Sequence, residues 1–362
     1  TVYLFVDTEP KGLAEEVEEE LFNQTGFKSP PDASEELSSF AFGSCSNQHM
    51  PMPYWDTITE FQPDVFVMAG DNVYGDCTGD SCLELQEAYN KLAQHPSFQG
   101  AKSKLSIVAT LDDHDYGLSN CHEDNPHKDL AKQYFMDFFN IQDERRTRTN
   151  DGVYHSYVWG PLGKKVQLIL LDTRYHRSEF LESDEPGAKT KEQFMPDYSA
   201  DTKRMLSNDQ WIWLQDQLKV PHVNVRIIVS SIQVLADGHG FECWRMLPRE
   251  RTRLLELLKR SENNVATFLV SGDRHVGGFY EKEGLVEMTT SSLSHTMPLG
   301  AYDCGSTAAE CDEVDDYRLD QFVRVNNFGT VEIDWRQKQV TLSLRQVDAT
   351  TESFYQDNWK ID

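Results

Sequence analysis

A chain of 362 residues with 39% apolar and 11% aromatic side chains is long enough for one large domain or two ordinary ones, and its composition excludes global disorder. Acidic residues outnumber basic ones by 60 to 34, and the net charge of −26 argues against nucleic acid or anionic lipid as a partner while suiting cations. No apolar run approaches a membrane span, and no secretory signal is recognisable at Thr1, which reads as either a mature or a cytosolic chain.

In chain order, residues 1–38 read as an extension and linker: a short apolar start, an acidic helical run "LAEEVEEELF", then "KSPPDASEE". Residues 39–362 read as the main domain. It holds six apolar runs of strand length, "SFAFGS" (39–44), "DVFVMAG" (64–70), "LSIVAT" (105–110), "VQLILLD" (166–172), "VRIIVSS" (225–231) and "VATFLVSG" (265–272). Such near-continuous apolar strands are expected where both faces of a sheet are covered. Helical patterns separate several of them, "YWDTITEF", "CLELQEAYNKLAQH", "DLAKQYFMDFF", "DQWIWLQDQL" and "RERTRLLELLKR". Near the end, "FGTVEIDW" and "QVTLSLRQV" alternate apolar and polar around "RQKQ", the pattern of an antiparallel hairpin with one exposed face. The predicted class is α/β with a C-terminal antiparallel element.

Seven cysteines bear on compartment. Cys77 and Cys82, and Cys304 and Cys311, lie as close pairs in turn-rich segments that read as disulfide-closed loops rather than zinc sites. A third bridge between Cys121 and Cys243 would leave Cys45 reduced. With the Asn23-Gln24-Thr25 sequon, this usage predicts a secreted, periplasmic or otherwise extracytoplasmic protein.

The chemistry lies at strand ends. Strand 39–44 runs into Cys45, strand 64–70 into "GDNVYGD", strand 105–110 into "LDDHDYG" and strand 265–271 into "GDRH". Ligands of open α/β sheets bind beyond the carboxyl ends of the strands. A lone Asp there is usually a cap or turn residue; four such ends bearing thiol, carboxylate, phenol and imidazole are not. Converging carboxylates would raise one another's pKa unless a cation sat between them. Two cations would polarise a phosphoryl oxygen and supply a hydroxide near neutral pH. At this level Cys45 reads as a buried thiol, half of a disulfide, a nucleophile or a metal ligand.

The ordered set "GSC", "GDNVYGD", "DDHDYG", "LDTRYHR", "SGDRH" and "SSLSHT" resembles the PhoD-like (alkaline phosphatase D) family of calcineurin-like metallophosphoesterases, from about residue 38 to the hairpin. The resemblance implies a four-layer α/β/β/α sandwich and metal-dependent hydrolysis of phosphate esters. Position by position, it implies metal ligation by Cys45, Asp71, Tyr74, Asp113, Asp273 and His275. His114 matches the histidine that donates a proton or binds substrate, and Arg174 matches a family arginine, here taken as a clamp on phosphate oxygens. The superfamily's initial Asp-x-His is replaced by "SCSNQ", which leaves Cys45 as a thiolate ligand. After strand 225–231, Gln233, Asp237 and His239 remain equal candidates for a further ligand, and "SSLSHT" offers His295.

Thiolate and phenolate together suit Fe3+, and the carboxylate-rich remainder suits Ca2+; the resemblance implies the same combination, with Zn2+ or Mn2+ compatible with many of these ligands. The expected reaction is single-step hydrolysis of a small phosphomonoester by a metal-bound hydroxide. Phosphodiesterase or phospholipase-type activity at the same site is the alternative, and a non-catalytic secreted metal-binding protein is the alternative from another class.

Overall fold

The computed structural model describes residues 26–143, 145–146, 151–184, 193–199, 202–261, 265–299, 307, 313–347 and 353–361. The acidic run 13–22, the sequon and the Cys304–Cys311 pair lie outside them.

Two six-stranded sheets form the frame. The first is built from β1 (Ser39–Gly43), β2 (Val65–Ala69), β3 (Ile107–Thr110), β12 (Asn327–Asp334), β13 (Gln339–Gln346) and β14 (Ser353–Lys360), in the order β14-β13-β12-β1-β2-β3. The second is built from β4 (His155–Trp159), β5 (Lys165–Leu170), β8 (Val223–Val229), β9 (Ala266–Ser271), β10 (Gly277–Lys282) and β11 (Leu285–Thr290), in the order β10-β11-β9-β8-β5-β4. A short ladder joins β6 (Leu181–Glu182) and β7 (Phe194–Met195).

The apolar runs are continuous because each strand serves two cores. Phe40, Phe42, Val65, Val67, Leu168, Leu170, Ile227 and Val270 fill the space between the sheets. Alternate residues point outward: Ala41, Phe66, Met68 and Ala109 pack in the core that holds α1 (Tyr54–Phe61), α2 (Leu83–Gln94), α3 (Pro96–Lys104) and α4 (Lys128–Phe138). Ile169, Ile228 and Leu269 pack in the core of α5 (Asn208–Gln217) and α6 (Pro248–Ser261). This period-2 sorting of one apolar strand into two cores produces the α/β/β/α layering. Ser207 caps α5, its hydroxyl accepting from the Gln210 amide at 3.0 Å.

Several strand and helix assignments differ from the sequence reading, which did not mark β6, β7 or β11. The edge strands β4, β10 and β14 carry weaker patterns than the central ones, and α3 restarts at Pro96 after an extended His95, Pro being compatible with a first helical turn. The C-terminal hairpin exists as β12–β13, but β12 does not keep a solvated face: it pairs with β1 on its other side, and Phe328 and Val331 enter two different cores.

The thiols correct one bridge. Cys77 and Cys82 are linked. Cys45, Cys121 and Cys243 are free and buried, so Cys121–Cys243 does not form. The Cys121 thiol lies against the Asp113 carbonyl at 3.5 Å, whereas Cys243 belongs to the helical side of the second sheet. Arg177 stands between their segments, its Nη2 donating to Cys121 O at 2.8 Å and to Glu242 Oε1 at 2.6 Å. Peptide mapping under non-reducing conditions is expected to recover Cys77 joined to Cys82. Cys45, Cys121 and Cys243 should alkylate separately, and only after denaturation; a Cys121–Cys243 crosslinked peptide would contradict this packing.

Candidate metal centre

Strands β1, β2, β3 and β9 end along one edge of the sandwich, and the turns after β1, β2 and β9 are unusual. Cys45, Asp71, Asp273 and His275 all have positive φ, at 60°, 47°, 69° and 54°. Left-handed backbone is unfavourable for residues with a Cβ and persists where surrounding structure imposes it. Gly70, at φ 111°, is required here: a Cβ on it would lie 2.6 Å from the Asp112 Cβ. These turns aim side chains back across the strand ends instead of along them.

Three overlapping groups result, each with donor atoms within 4.8 Å of one another: Cys45, Asp71 and His275; Asp71, Asp113 and His114; and Asp112, Asp113 and Asp273. Tyr74 closes the first group, its hydroxyl 3.2 Å from Asp71 Oδ2 and 3.2 Å from His275 Nε2. Cys45 Sγ lies 3.6 Å from Asp71 Oδ2 and 3.1 Å from Ser291 Oγ. His114 Nδ1 pairs with Asp76 Oδ1 at 2.8 Å, and its ring packs on Tyr74 with centroids 4.2 Å apart. Asp113 accepts from the His114 and Asn120 amides at 3.0 and 2.6 Å.

Seven of the eight predicted site residues therefore come together. The eighth, Arg174, does not reach the site surface. It is 0% exposed. Its Nε donates to Asp112 Oδ1 at 2.5 Å, and its Nη1 pairs with Glu242 Oε2 at 2.5 Å. Already paired with two carboxylates, it serves to hold Asp112 and back Asp113, 4.0 Å away, rather than to clamp a substrate. Of the undecided trio, none joins the three groups. His239 is buried on Gln233 Oε1 at 2.9 Å, and Asp237 pairs with Arg251 at 2.6 Å. His295 does arrive, its Nε2 3.1 Å from His275 Nε2 and 3.4 Å from the Tyr74 hydroxyl. Asp112 and Ser291 were not singled out. Asp112 was legible only as one of two adjacent acids in "DDH", and nothing in the sequence separates their directions.

The electrostatics are those of a cation site. Burial, then the charges of Asp113 and Cys45, holds the Asp71 carboxyl well above its ordinary range. Burial with Asp112 and Asp113 does the same to Asp273. Burial pushes the Cys45 thiol up to about 12, and burial with Asp71 raises the Tyr74 phenol. Burial, with His295 and Arg274, lowers His275 to about 3, leaving its imidazole neutral and able to ligate. His114 runs the other way: burial would lower it, but Asp113, Asp71 and Asp76 raise it to about 11. Asp112 Oδ2 is buried without a hydrogen-bond partner. A cation among these oxygens would relieve the repulsion and favour thiolate and phenolate, so the donor set fits a metal.

The family model described as PhoD-like phosphatase matches residues 40–344. Among solved structures, one described as the structure of PhoD superposes with a TM-score of 0.70 at 15% identity, covering 92% of this chain and 71% of that one. GAP50, the anchor in the inner membrane complex of Plasmodium, superposes with a TM-score of 0.57 at 15% identity, covering 91% and 90%. At such identity these likenesses show the fold. No curated protein sequence matches.

The crowding has a pH signature. Burial is the main cause that pushes Asp112 up to about 6 and Asp115 up to about 7, and Asp71 and Asp273 are also raised. A carboxyl with a higher pKa folded than unfolded binds its proton more tightly in the folded state. Its contribution therefore falls as pH rises from the unfolded value, about 4, through the folded one. Asp113, held below its ordinary range by His114 and Arg174 against the effect of burial, acts below this window. His155, His239 and His275, held below their ordinary value by burial, lose stability as pH falls and so oppose this slope. The crowding is therefore read from the cation: saturating divalent cation should raise the melting temperature of metal-free protein by more at about pH 7 than at about pH 4. An equal gain at both pH values would contradict the crowding.

Proposed function

The chain belongs to the PhoD-like phosphatase family, and from that premise we propose that it hydrolyses small phosphate esters, monoesters foremost, as an extracytoplasmic enzyme whose catalytic unit spans residues 39–362. The observation that carries the reading is the convergence of Cys45, Asp71, Tyr74, Asp113, Asp273 and His275, whose acidic charge His114 and Arg174 offset only in part. The GAP50 likeness is to a protein named as an anchor, so the fold alone does not entail catalysis. The donor set does support it, because Asp71, His114 and His275 are all in place. The Cys77–Cys82 bridge supports an oxidising compartment, and no helix among the described residues is long and apolar enough to cross a membrane.

The donors divide by hardness. Cys45, Asp71, Tyr74 and His275 would hold Fe3+, and Asp71, Asp113 and Asp273, with Asp112 beside them, would hold Ca2+; Zn2+ or Mn2+ would satisfy part of the same set. A cation so held polarises a phosphoryl oxygen and makes water a better nucleophile. Asp71 belongs to two of the groups, so it ties both cation positions together. His114 is held by Asp76 with its ring partly open, 19% exposed, placed to give a proton to the departing oxygen or steady its charge. Arg174 acts from behind: held in turn by Glu242, it fixes Asp112 and neutralises part of its charge without touching substrate.

Purified protein is expected to hydrolyse para-nitrophenyl phosphate faster than its bis ester; the reverse order would make it a diesterase. Asp71→Asn should lose metal and activity together. His114→Ala should keep most of its metal while turnover falls ~10²–10⁴-fold, the range for one general acid or base; near-normal turnover would sink the role given to His114. If iron is bound, the concentrated protein should be coloured, and Tyr74→Phe should bleach or shift the visible band while leaving the fold intact. An unchanged spectrum with full iron content would make Tyr74 a packing residue.

A further inference from the structure

The strand ends opposite the metal centre carry a second feature. A cavity of about 770 Å³ opens where β8 begins and where α5 and α6 end. Lys219, His222, Asn224, Arg226 and Arg260 contribute to its lining, and none of its described lining residues is acidic. That is anomalous in a chain where 60 of 362 residues are Asp or Glu and only 34 are Lys or Arg.

Arg226 is the informative member. It is 1% exposed. Its Nε donates to Gln167 Oε1 at 2.8 Å and its Nη2 to the Leu218 carbonyl at 3.3 Å. Its Nη1 is buried with no hydrogen-bond partner, and no ion pair joins it to a carboxylate among the described residues. Burial alone lowers its pKa to about 10, with no acidic neighbour opposing the shift. The contact with Leu218 at the carbonyl end of α5 explains one of its nitrogens. It does not explain an uncompensated guanidinium, which is strongly unfavourable in a protein interior. The remaining cations differ in kind: Lys219 pairs with Asp216 at 2.8 Å and Arg260 with Glu256 at 3.0 Å, both pairs well exposed and weakly held.

We propose that this cavity is a binding site for a small oxyanion, with Arg226 Nη1 as its buried donor and Lys219 and Arg260 as its rim. Guanidinium nitrogens in a fixed fork match phosphate and carboxylate oxygens, and a charge-assisted bond of that kind removes both the orphaned donor and the unpaired charge. The inference does not rest on the proposed hydrolysis, because β8 separates the cavity from the metal centre: Val223 and Asn224 line the cavity, whereas Ser231, beyond the other end of the strand, bonds Asp112 at 2.6 Å.

Equilibrium dialysis of the metal-loaded full chain against radiolabelled inorganic phosphate tests it. Wild type should bind two equivalents, one at each site. Asp71→Asn should keep the equivalent in the cavity, and Arg226→Gln should lose it with para-nitrophenyl phosphate turnover unchanged. Should Arg226→Gln misfold, the exposed double variant Lys219→Gln/Arg260→Gln should still fold and weaken the second equivalent by about three- to tenfold, the effect of losing two surface charges. One equivalent in wild type that vanishes in Asp71→Asn would overturn the proposal and leave the metal centre standing. Two equivalents unaffected by either set of variants would also overturn it. One equivalent retained in Asp71→Asn and lost in Arg226→Gln would uphold it while removing phosphate binding at the metal centre.

Discussion

Repulsion among buried carboxylates is the constraint around which this molecule is arranged. Asp71, Asp112, Asp113 and Asp273 approach within a few ångströms in a site largely closed to water. Asp71, Asp112 and Asp273 would prefer to be protonated or apart, while Asp113 is kept ionised by His114 and Arg174. The fold holds them together through rigid strand ends and left-handed turns at Cys45, Asp71, Asp273 and His275. Local strain and like charge are tolerated there because two packed sheets, with cores on three levels, over-determine the backbone.

Part of that repulsion is met from below. Arg174 bonds Asp112 and Glu242, and Glu242 in turn bonds Arg177. These four groups form a buried, alternating line of charge under the acidic cluster. Such networks contribute little net stability, since desolvation offsets attraction, but removing one member leaves a bare charge. Their effect is therefore geometric. Ser231 adds a further bond to Asp112, and Thr173 bonds Ser231, so the turn after β8 and the turn after β5 are both tied to the turn after β3. What remains unmatched faces the open side, where a cation and then a phosphate ester would find it.

The same accounting applied to the whole surface separates two kinds of site in one chain. At the carboxyl ends of the strands, excess negative charge converges on space for cations. At the far end of β8, a buried guanidinium meets no carboxylate among the described residues and lies beside a cavity whose described lining holds no acid. In both places a group whose charge has no partner within the chain marks where something outside the chain belongs.

Most of the fold was legible in the sequence. A strand covered on both faces needs an uninterrupted apolar run, and a helix on a sheet needs a 3.6-residue stripe; local composition therefore marked the central strands and five helices. The ligand types at the strand ends were legible too, because chemistry restricts metal donors to few residue types. Tertiary packing alone decided the rest. Arg174 looked like a phosphate clamp because its type suits phosphate, yet depth is not written in a motif, and the second sheet carries it beneath the site. Cys121 and Cys243 were paired by count, although pairing needs proximity, and Arg177 occupies the space between them. Which of Asp112 and Asp113 faces which neighbour, whether His295 arrives, and where Arg226 lies unpaired depend on turns and on strands distant in sequence. Local sequence sets the conformational preference of a segment; only the assembled sheets determine which side chains share a volume.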